Sequence, residues 1–288
     1  MKTKVWINGK FFDPGRANIS IFDRGFMYGD GLFETMRAYA GVVFKLDGHI
    51  DRLYTSLGVL GIRKPCSKEV LKKAIYRTVK VNALKSAYIK VSVTRGQGRF
   101  GIGYKDEFIP NAVIVAKDFE GYPEWMFDRG LSAAIAGIRQ NERSVLSRVK
   151  SLNFLPYIIA RFEAKDMGYD EAILVNTKGH VAEAATSNIF LVKNGALVTP
   201  SLLDGILPGI TRSTVIEIAR KLRLRVTQRA VLPGELASAD EVFLTNSLAE
   251  ILPVVKVGPG RIGRGSPGKL TRLLRVCYQK EVIRSIVR

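Results

Sequence analysis

The chain opens with short runs in which apolar and polar residues alternate, the period of a half-buried strand. "KVWING" closes on the Asn8-Gly9 pair, and "FETMRAYAGVVFKL" reads as two β segments joined at Ala40-Gly41. The period then lengthens. "DGHIDRLYTSLGVLG" places Ile50, Leu53, Leu57 and Leu60 on one helical face behind Asp47 as N-cap, and "SKEVLKKAIYRTVKVNAL" starts a second helix at Ser67. "SAYIKVSVTRG" and "NAVIVAKDF" return to β-branched strands. The pattern lapses in "KDFEGYPEWMFDRG", so residues 1–118 are expected to form a smaller α+β domain, 119–129 an interdomain loop, and 130–288 a larger second domain. In that domain "LSAAIAGI" restarts a strand and a helix runs from about Leu152 to Lys165. The strand pairs "EAILVNTKGHVAE" and "NIFLVKNGALVTP", a helix "TRSTVIEIARKL", and strands near "RVTQRAV" and "EVFLTN" follow. Hairpins mixed with isolated helices predict an α+β fold rather than a doubly wound parallel sheet.

Composition narrows the function classes. With 288 residues and 47% hydrophobic content the chain can bury a large core. It lacks an apolar run long enough to span a bilayer, and its start lacks a secretory signal, so a soluble cytoplasmic protein without a membrane partner is expected. Cys66 and Cys277 are too few for a disulfide framework, and His49 and His180 lie in no ligand-spaced cluster, so no metal is expected. Both histidines read as loop or helix surface. The formal charge of +19 would suit nucleic acid, but it is spread along the chain. Its densest stretch, after Lys256, keeps apolar positions at helical spacing in "LTRLLRVCYQKEVIRSIVR", which predicts a packed amphipathic helix with a basic outer face. No nucleic-acid-binding motif is present, and none is expected as partner.

Three stretches could carry chemistry. "GILPGITRSTV" puts Gly209 at a helix start whose N–H groups favour a phosphate, and "TNSLAE" brings the hydroxyls and amide of Thr245 to Ser247 to the end of a strand. Arg52 is one of many basic residues that could neutralise such an anion. "HVAEAATSNIFLV" follows Glu183 with the small residues Ala184, Ala185, Thr186 and Ser187, leaving space beside a carboxylate for a flat ligand with a cationic ring nitrogen. "LSRVKSLNFLP" carries Lys150, either a solvated surface charge or a reactive amine. A desolvated lysine, a carboxylate for a pyridinium and a helix N-terminus for a phosphate are together what pyridoxal 5'-phosphate requires.

At this point the sequence resembles the class IV, or fold-type IV, pyridoxal phosphate enzymes, from "SIFDRGFMYGDGLFETMR" through "HIDRL", "RVKSLNFLP", "EAILVNTKGHVAEAATSNIFLV" and "LPGITR" to "EVFLTNSLAEILPV". The resemblance implies a two-domain fold of the D-amino acid aminotransferase type, with the cofactor between the domains and a homodimer or higher homo-oligomer. It assigns Lys150 to the covalent link with the cofactor and to proton transfer at Cα, and Glu183 to the pyridine nitrogen. Arg52, Ile210, Thr211 and Ser247 are assigned to the phosphate, with Ser187 and Asn188 also at the cofactor. Tyr28, Phe33, Thr35, Arg37, Tyr88, Lys90, Arg95, Arg99 and Leu248 fall where the family builds its substrate pocket.

The subfamily signals diverge. "FETMR" with Thr35, "IKVSVTRGQGRFGIGY" and "TNSL" resemble aminodeoxychorismate lyases, in which a threonine at the Thr35 position assists pyruvate elimination. "DGHIDRLYTS", "FEAKDMGYDEAILVN" and "SLAEILPV" resemble branched-chain aminotransferases. Arg99-Phe100-Gly101 replaces the R-x-H carboxylate trap of D-amino acid enzymes, which argues against a standard D-specific pocket. Phe154 stands where branched-chain enzymes often place a tyrosine on the cofactor's phenolic oxygen, so Tyr157 or another group would have to substitute. The reading that follows is transamination from a branched-chain or other apolar amino acid to a 2-oxo acid such as 2-oxoglutarate. The lyase, then D-amino acid or (R)-amine transamination, are the alternatives.

Overall fold

Both Gly-containing turns form as their sequences require. In the computed structural model, which describes residues 3–98, 101–102 and 108–287, Asn8 and Gly9 have φ of 47° and 96°, and Ala40 and Gly41 have φ of 49° and 81°. Positive φ at both central residues matches the twist of the flanking strands, so β1 (Val5–Ile7) folds onto β2 (Lys10–Phe12) and β3 (Gly31–Tyr39) onto β4 (Val42–Val43). Between them Asp23 caps the short α1 (Arg24–Tyr28) by accepting from the Gly25 amide. The helices α2 (Leu46–Val59) and α3 (Lys68–Val81) and the long strands β5 (Ala87–Gln97) and β6 (Ile109–Asp118) complete the first of two compact units, which runs to Glu120 and takes in Val149–Asn153 and the chain end from Ser285.

Six antiparallel strands in the order β2-β1-β6-β5-β3-β4 make its sheet. Alternation sends Leu32, Met36, Ile89, Val91 and Ile114 into one core with Ile50, Leu53 and Leu57 of α2 and Leu71 and Ile75 of α3. Each such side chain contributes roughly 2 kcal/mol when fully buried. The other phase puts Phe33, Thr35 and Arg37 of β3 opposite Ser92, Lys90 and Tyr88 of β5.

The second unit comprises Gly121–Arg148 and Phe154–Arg284. The segment expected as an interdomain loop carries a short helix, α4 (Glu124–Arg129), whose Phe127 packs with Leu131, Ala249 and Leu252. Then come β7 (Leu131–Gln140), α5 (Leu155–Asp166), β8 (Glu171–Asn176), β9 (Val181–Ala184), β10 (Asn188–Lys193), β11 (Ala196–Thr199), α6 (Ile210–Lys221) and β12 (Val226–Gln228). The chain continues through α7 (Pro233–Ala237), β13 (Glu241–Asn246), β14 (Glu250–Val257) and β15 (Gly260–Arg261) to the basic α8 (Lys269–Val287). The sheet order is β12-β11-β10-β13-β14-β7-β8-β9, with β15 beside β14, and its pairs β11 to β12, β14 to β7 and β7 to β8 are parallel. The expected α+β class holds: an all-antiparallel sheet and a mixed one. Among the described residues no helix is long and apolar enough to cross a membrane.

Three local expectations are corrected. Lys45, at φ 51°, rather than Asp47 occupies the N-cap of α2; Asp47 lies in the first turn and pairs with Lys72. The helix expected from about Leu152 begins at Leu155, because the preceding residues are drawn into β pairing with β3. His49, expected at the surface, is buried in the first unit at 2% exposure.

Candidate active site

The pairing that delays α5 also fixes Lys150. The Phe33 amide donates to the Lys150 carbonyl at 2.8 Å and the Leu152 amide to the Gly31 carbonyl at 3.0 Å, with Leu32 facing Ser151 in an isolated bridge. Gly31 has no room for a side chain: a Cβ there would stand 2.6 Å from the Val93 carbonyl oxygen and 2.7 Å from Leu152 Cδ1. Held this way, the half-buried Lys150 sets its Nζ 4.6 Å from the centre of the Phe33 ring. The ammonium of Lys90 approaches the same ring at 4.7 Å, and burial pulls its pKa below the ordinary lysine value.

On the core side of β3, Glu34 is 1% exposed among apolar neighbours. Arg52 of α2 grips it through Nε and an Nη, at 2.7 and 2.6 Å, and the ring of His49 lies 2.7 Å away through Nδ1. Burial works to raise the Glu34 pKa. The Arg52 guanidinium and the His49 hydrogen bond overcome it and bring the carboxyl to about 2. His49 is shifted the other way, chiefly by burial, with the charges of Arg52 and Lys150 adding to the effect against the pull of Glu34. The imidazole is therefore neutral and donates Nδ1–H to the carboxylate.

The remaining expected substrate residues fare differently. Thr35 and Lys90 face each other across the β3 and β5 ladder, as do Arg37 and Tyr88. Arg37 lies over the Tyr39 and Phe119 rings and donates to the Glu120 carbonyl at 3.3 Å, while Lys117 caps the Tyr88 ring at 5.2 Å. Tyr28 lies under the Arg24 guanidinium and its hydroxyl accepts from the Gly101 amide. Arg95 is turned to the scaffold: Nε donates to Asp30 at 2.8 Å and its two Nη groups to the carbonyls of Gly61 and Leu60. Arg99 lies outside the described residues.

In the second unit Glu183 is buried at 5% exposure on β9. It accepts from Gln140 Nε2 at 3.2 Å, Asn188 Nδ2 at 3.1 Å and the Leu207 amide at 3.1 Å. Tyr157 of α5 stacks its ring on Phe154, with centroids 4.9 Å apart. Burial, and then the Glu183 charge, push the Tyr157 phenol far above its ordinary pKa. Gly209 is the N-cap of α6, as its sequence suggested; a Cβ there would stand 1.9 Å from Asn188 Oδ1. Ile210 and the buried Thr211 form the first turn. Asn188 pairs with Thr245 across β10 and β13, which puts their side chains on one face, and the buried Thr245 hydroxyl has no hydrogen-bond partner among the described residues. Ser187 accepts from Asn246 Nδ2 at 2.9 Å, and the half-buried Ser247 and Leu248 follow in the turn to β14, where Asn246 Oδ1 accepts from the Leu248 and Ala249 amides.

Sequence reasoning passed over Glu34, His49 and Gln140. The signal for Glu34 was present, because it falls on the same strand phase as Leu32, Met36 and Ala38, where a carboxylate must find a cation.

The sequence profile described as "Amino-transferase class IV" matches residues 31–257. A putative branched-chain-amino-acid aminotransferase of Methanocaldococcus jannaschii is 40% identical over 273 residues, covering 94% of each chain. A D-alanine aminotransferase of Bacillus licheniformis is 32% identical over 97% of each chain. Among solved structures, the branched-chain amino acid aminotransferase of Thermobaculum terrenum in its PLP-bound holo form superposes with a TM-score of 0.86 at 30% identity, covering 98% of this chain and 94% of the other. With the match spanning most of its length, from the strand beside Lys150 to the one beyond Ser247, the chain belongs to the class IV aminotransferases.

Proposed function

We propose that this enzyme is a pyridoxal phosphate-dependent transaminase that moves an amino group from a branched-chain or other apolar amino acid to a 2-oxo acid such as 2-oxoglutarate. The residues present fit the cofactor. A buried carboxylate flanked by small residues suits a ring nitrogen, the orphaned Thr245 hydroxyl and the amides at the start of α6 suit a phosphate, and the glycine at 209 keeps that start clear. When bound, pyridoxal phosphate supplies an aldehyde that takes up the amino group and a ring that accepts the electron pair left at Cα.

The roles of the chain's own groups follow from their surroundings. Lys150 would hold the cofactor's aldehyde through its amine and would move the proton at the substrate's Cα. Phe33 shields one side of that amine from water. Glu183 would hold a proton on the ring nitrogen, and Asn188 orients Glu183 by donating to its Oε2. Ile210, Thr211 and Ser247 would hold the phosphate, and Arg52, fixed by Glu34, would supply a cation for it. Lys90, with Thr35 opposite it, meets the substrate carboxylate.

The observation that carries the reading is the seating of Lys150 against Phe33, beside a buried Glu34, His49 and Arg52 cluster, in a chain similar to a branched-chain aminotransferase over 94% of its length. Reconstitution of wild type and Lys150→Ala with pyridoxal phosphate tests it. Wild type should gain a visible absorption band and transaminate L-leucine with 2-oxoglutarate; Lys150→Ala should show neither, and a visible band unaffected by the substitution would refute the assignment.

The enzyme works as a homodimer or larger homo-oligomer in the cytoplasm. Support for assembly comes from α5, where Leu155, Ile158, Ile159 and Phe162 form an exposed apolar stripe at helical spacing, with Leu155 and Phe162 more than 60% exposed. Light scattering on purified protein should give at least twice the 31.9 kDa chain mass.

A further inference from the structure

The motif "GILPGITRSTV" holds a residue that the phosphate cradle leaves without a role. Arg212 lies in the first turn of α6, just after the Gly209 N-cap, Ile210 and Thr211, and is 4% exposed. Its Nε donates to the Thr199 hydroxyl at 3.3 Å, and one Nη to the Pro200 carbonyl at 2.9 Å and to Gln228 Oε1 at 2.8 Å. All three acceptors are neutral. Among the described residues no carboxylate comes within ion-pair distance of Arg212, whereas the deeply set Arg24 and Arg52 each grip one, Asp30 and Glu34. Burial pulls the Arg212 pKa down to about 10, which leaves the guanidinium charged at neutral pH. Glu183 opposes that shift from a distance, its oxygens already accepting from Gln140, Asn188 and the Leu207 amide.

A charge buried without a counter-ion is destabilising, and its place in the helix adds to the cost. The start of a helix carries a partial positive charge and favours acids in its first turn. The first turn of α6 has no acid and has Arg212 instead. The same start borders the buried Thr245 hydroxyl, which has no hydrogen-bond partner among the described residues: Thr245 pairs with Asn188, whose Oδ1 abuts Gly209. A cation, a helix dipole of the same sign and an open hydroxyl together fit an anion of more than one charge.

We infer that Arg212 is a positioning residue for the cofactor's phosphate: its buried charge, braced by Thr199, Pro200 and Gln228, adds to the helix dipole and raises the affinity of the α6 start for a phosphate dianion. The inference rests on the proposed cofactor. Because the three bonds tie the guanidinium to the ends of β11 and β12, what it offers the ligand is charge rather than contact. At the effective dielectric of a protein, a unit charge within about one helical turn of a dianion changes its affinity by about tenfold or more. The effect belongs to the phosphate alone and not to the aldehyde or the ring.

The test is equilibrium titration of wild type, Arg212→Gln and Arg212→Lys with pyridoxal phosphate and with pyridoxal, which keeps the aldehyde and ring but lacks the phosphate. In Arg212→Gln the dissociation constant for pyridoxal phosphate should rise by about tenfold or more, while that for pyridoxal stays within about twofold. Arg212→Lys, which keeps the charge and gives up the fork, should bind pyridoxal phosphate within about threefold of wild type. Equal weakening of both ligands in Arg212→Gln, the mark of a scaffold role, would overturn the inference. So would an unchanged constant for pyridoxal phosphate, or a lysine variant as weak as the glutamine one. If Arg212→Gln does not fold, Arg212→Lys decides: binding within about threefold upholds charge as the requirement, and a loss of about tenfold overturns it. A wild type that takes up neither ligand through Lys150 would bring down the functional reading itself, and this inference with it.

Discussion

Replacing Glu34 with glutamine removes the negative charge that Arg52 grips at 2.6 and 2.7 Å while keeping the shape of the side chain. The size of the effect follows from the carboxyl's displacement in the fold, from an ordinary value of 4.5 to about 2. That difference corresponds to about 3 kcal/mol of stabilisation at neutral pH, in line with the roughly 3–5 kcal/mol lost when one partner of a buried ion pair is removed. Because the folded-state pKa is depressed, the stabilisation is complete above about pH 5 and is lost as pH falls through 4.5 toward 2. The assay is urea unfolding of wild type and Glu34→Gln in a Trp125→Phe background. There Trp6, in the same core as Met36 and Leu53, is the sole tryptophan and reports the first unit alone. Glu34→Gln should be less stable by about 3 kcal/mol at pH 7, with the gap narrowing steadily below pH 5. A gap below about 1 kcal/mol at pH 7, or one of constant size down to pH 3, would refute the argument that Arg52 and His49 overcome the cost of burying Glu34.

Other expectations follow from single contacts. Gly209→Ala drives a methyl group into Asn188 Oδ1, which would lie 1.9 Å away, so equilibrium titration with pyridoxal phosphate should show at least a tenfold weaker dissociation constant. Arg95→Met should lower thermal stability, because three hydrogen bonds to Asp30, Gly61 and Leu60 are lost, yet leave KM for both substrates within about twofold. Lys90→Met should raise KM for the amino acid by tenfold or more in steady-state kinetics, since it removes the cation opposite Thr35.

Much of the molecule could be read from its residues, and the exceptions have physical causes. The Asn8-Gly9 and Ala40-Gly41 turns, the Ser67 cap, the long helix at the chain end and the Gly209 start of α6 are local signals, and each is found. The strand β14 escaped because Pro253 lies inside it, and proline argues against a central strand; the pairing with β7 is irregular immediately afterwards, between Val254 and Lys256. The start of α5 was misread because Leu152 is helical by propensity and is claimed by a distant strand through its bond to Gly31. Tertiary pairing overrides local preference there. In the candidate site, Lys150 and Glu183 could be named from the family's motifs. The buried pairing of Glu34 with Arg52 and the bond from Gln140 to Glu183 could not, since each joins residues from different elements. Arg95 looked like a substrate cation because sequence alone does not reveal that Asp30 and two carbonyls already occupy it.

The central claim is that this class IV aminotransferase takes an amino group from an apolar amino acid through Lys150. The most direct measurement is the absorption spectrum of the cofactor-loaded enzyme before and after addition of L-leucine with no 2-oxo acid present. The account predicts that the visible band of the lysine-linked cofactor gives way to the shorter-wavelength band of pyridoxamine phosphate, and returns when 2-oxoglutarate is added. A fully loaded enzyme whose spectrum L-leucine leaves unchanged would contradict it.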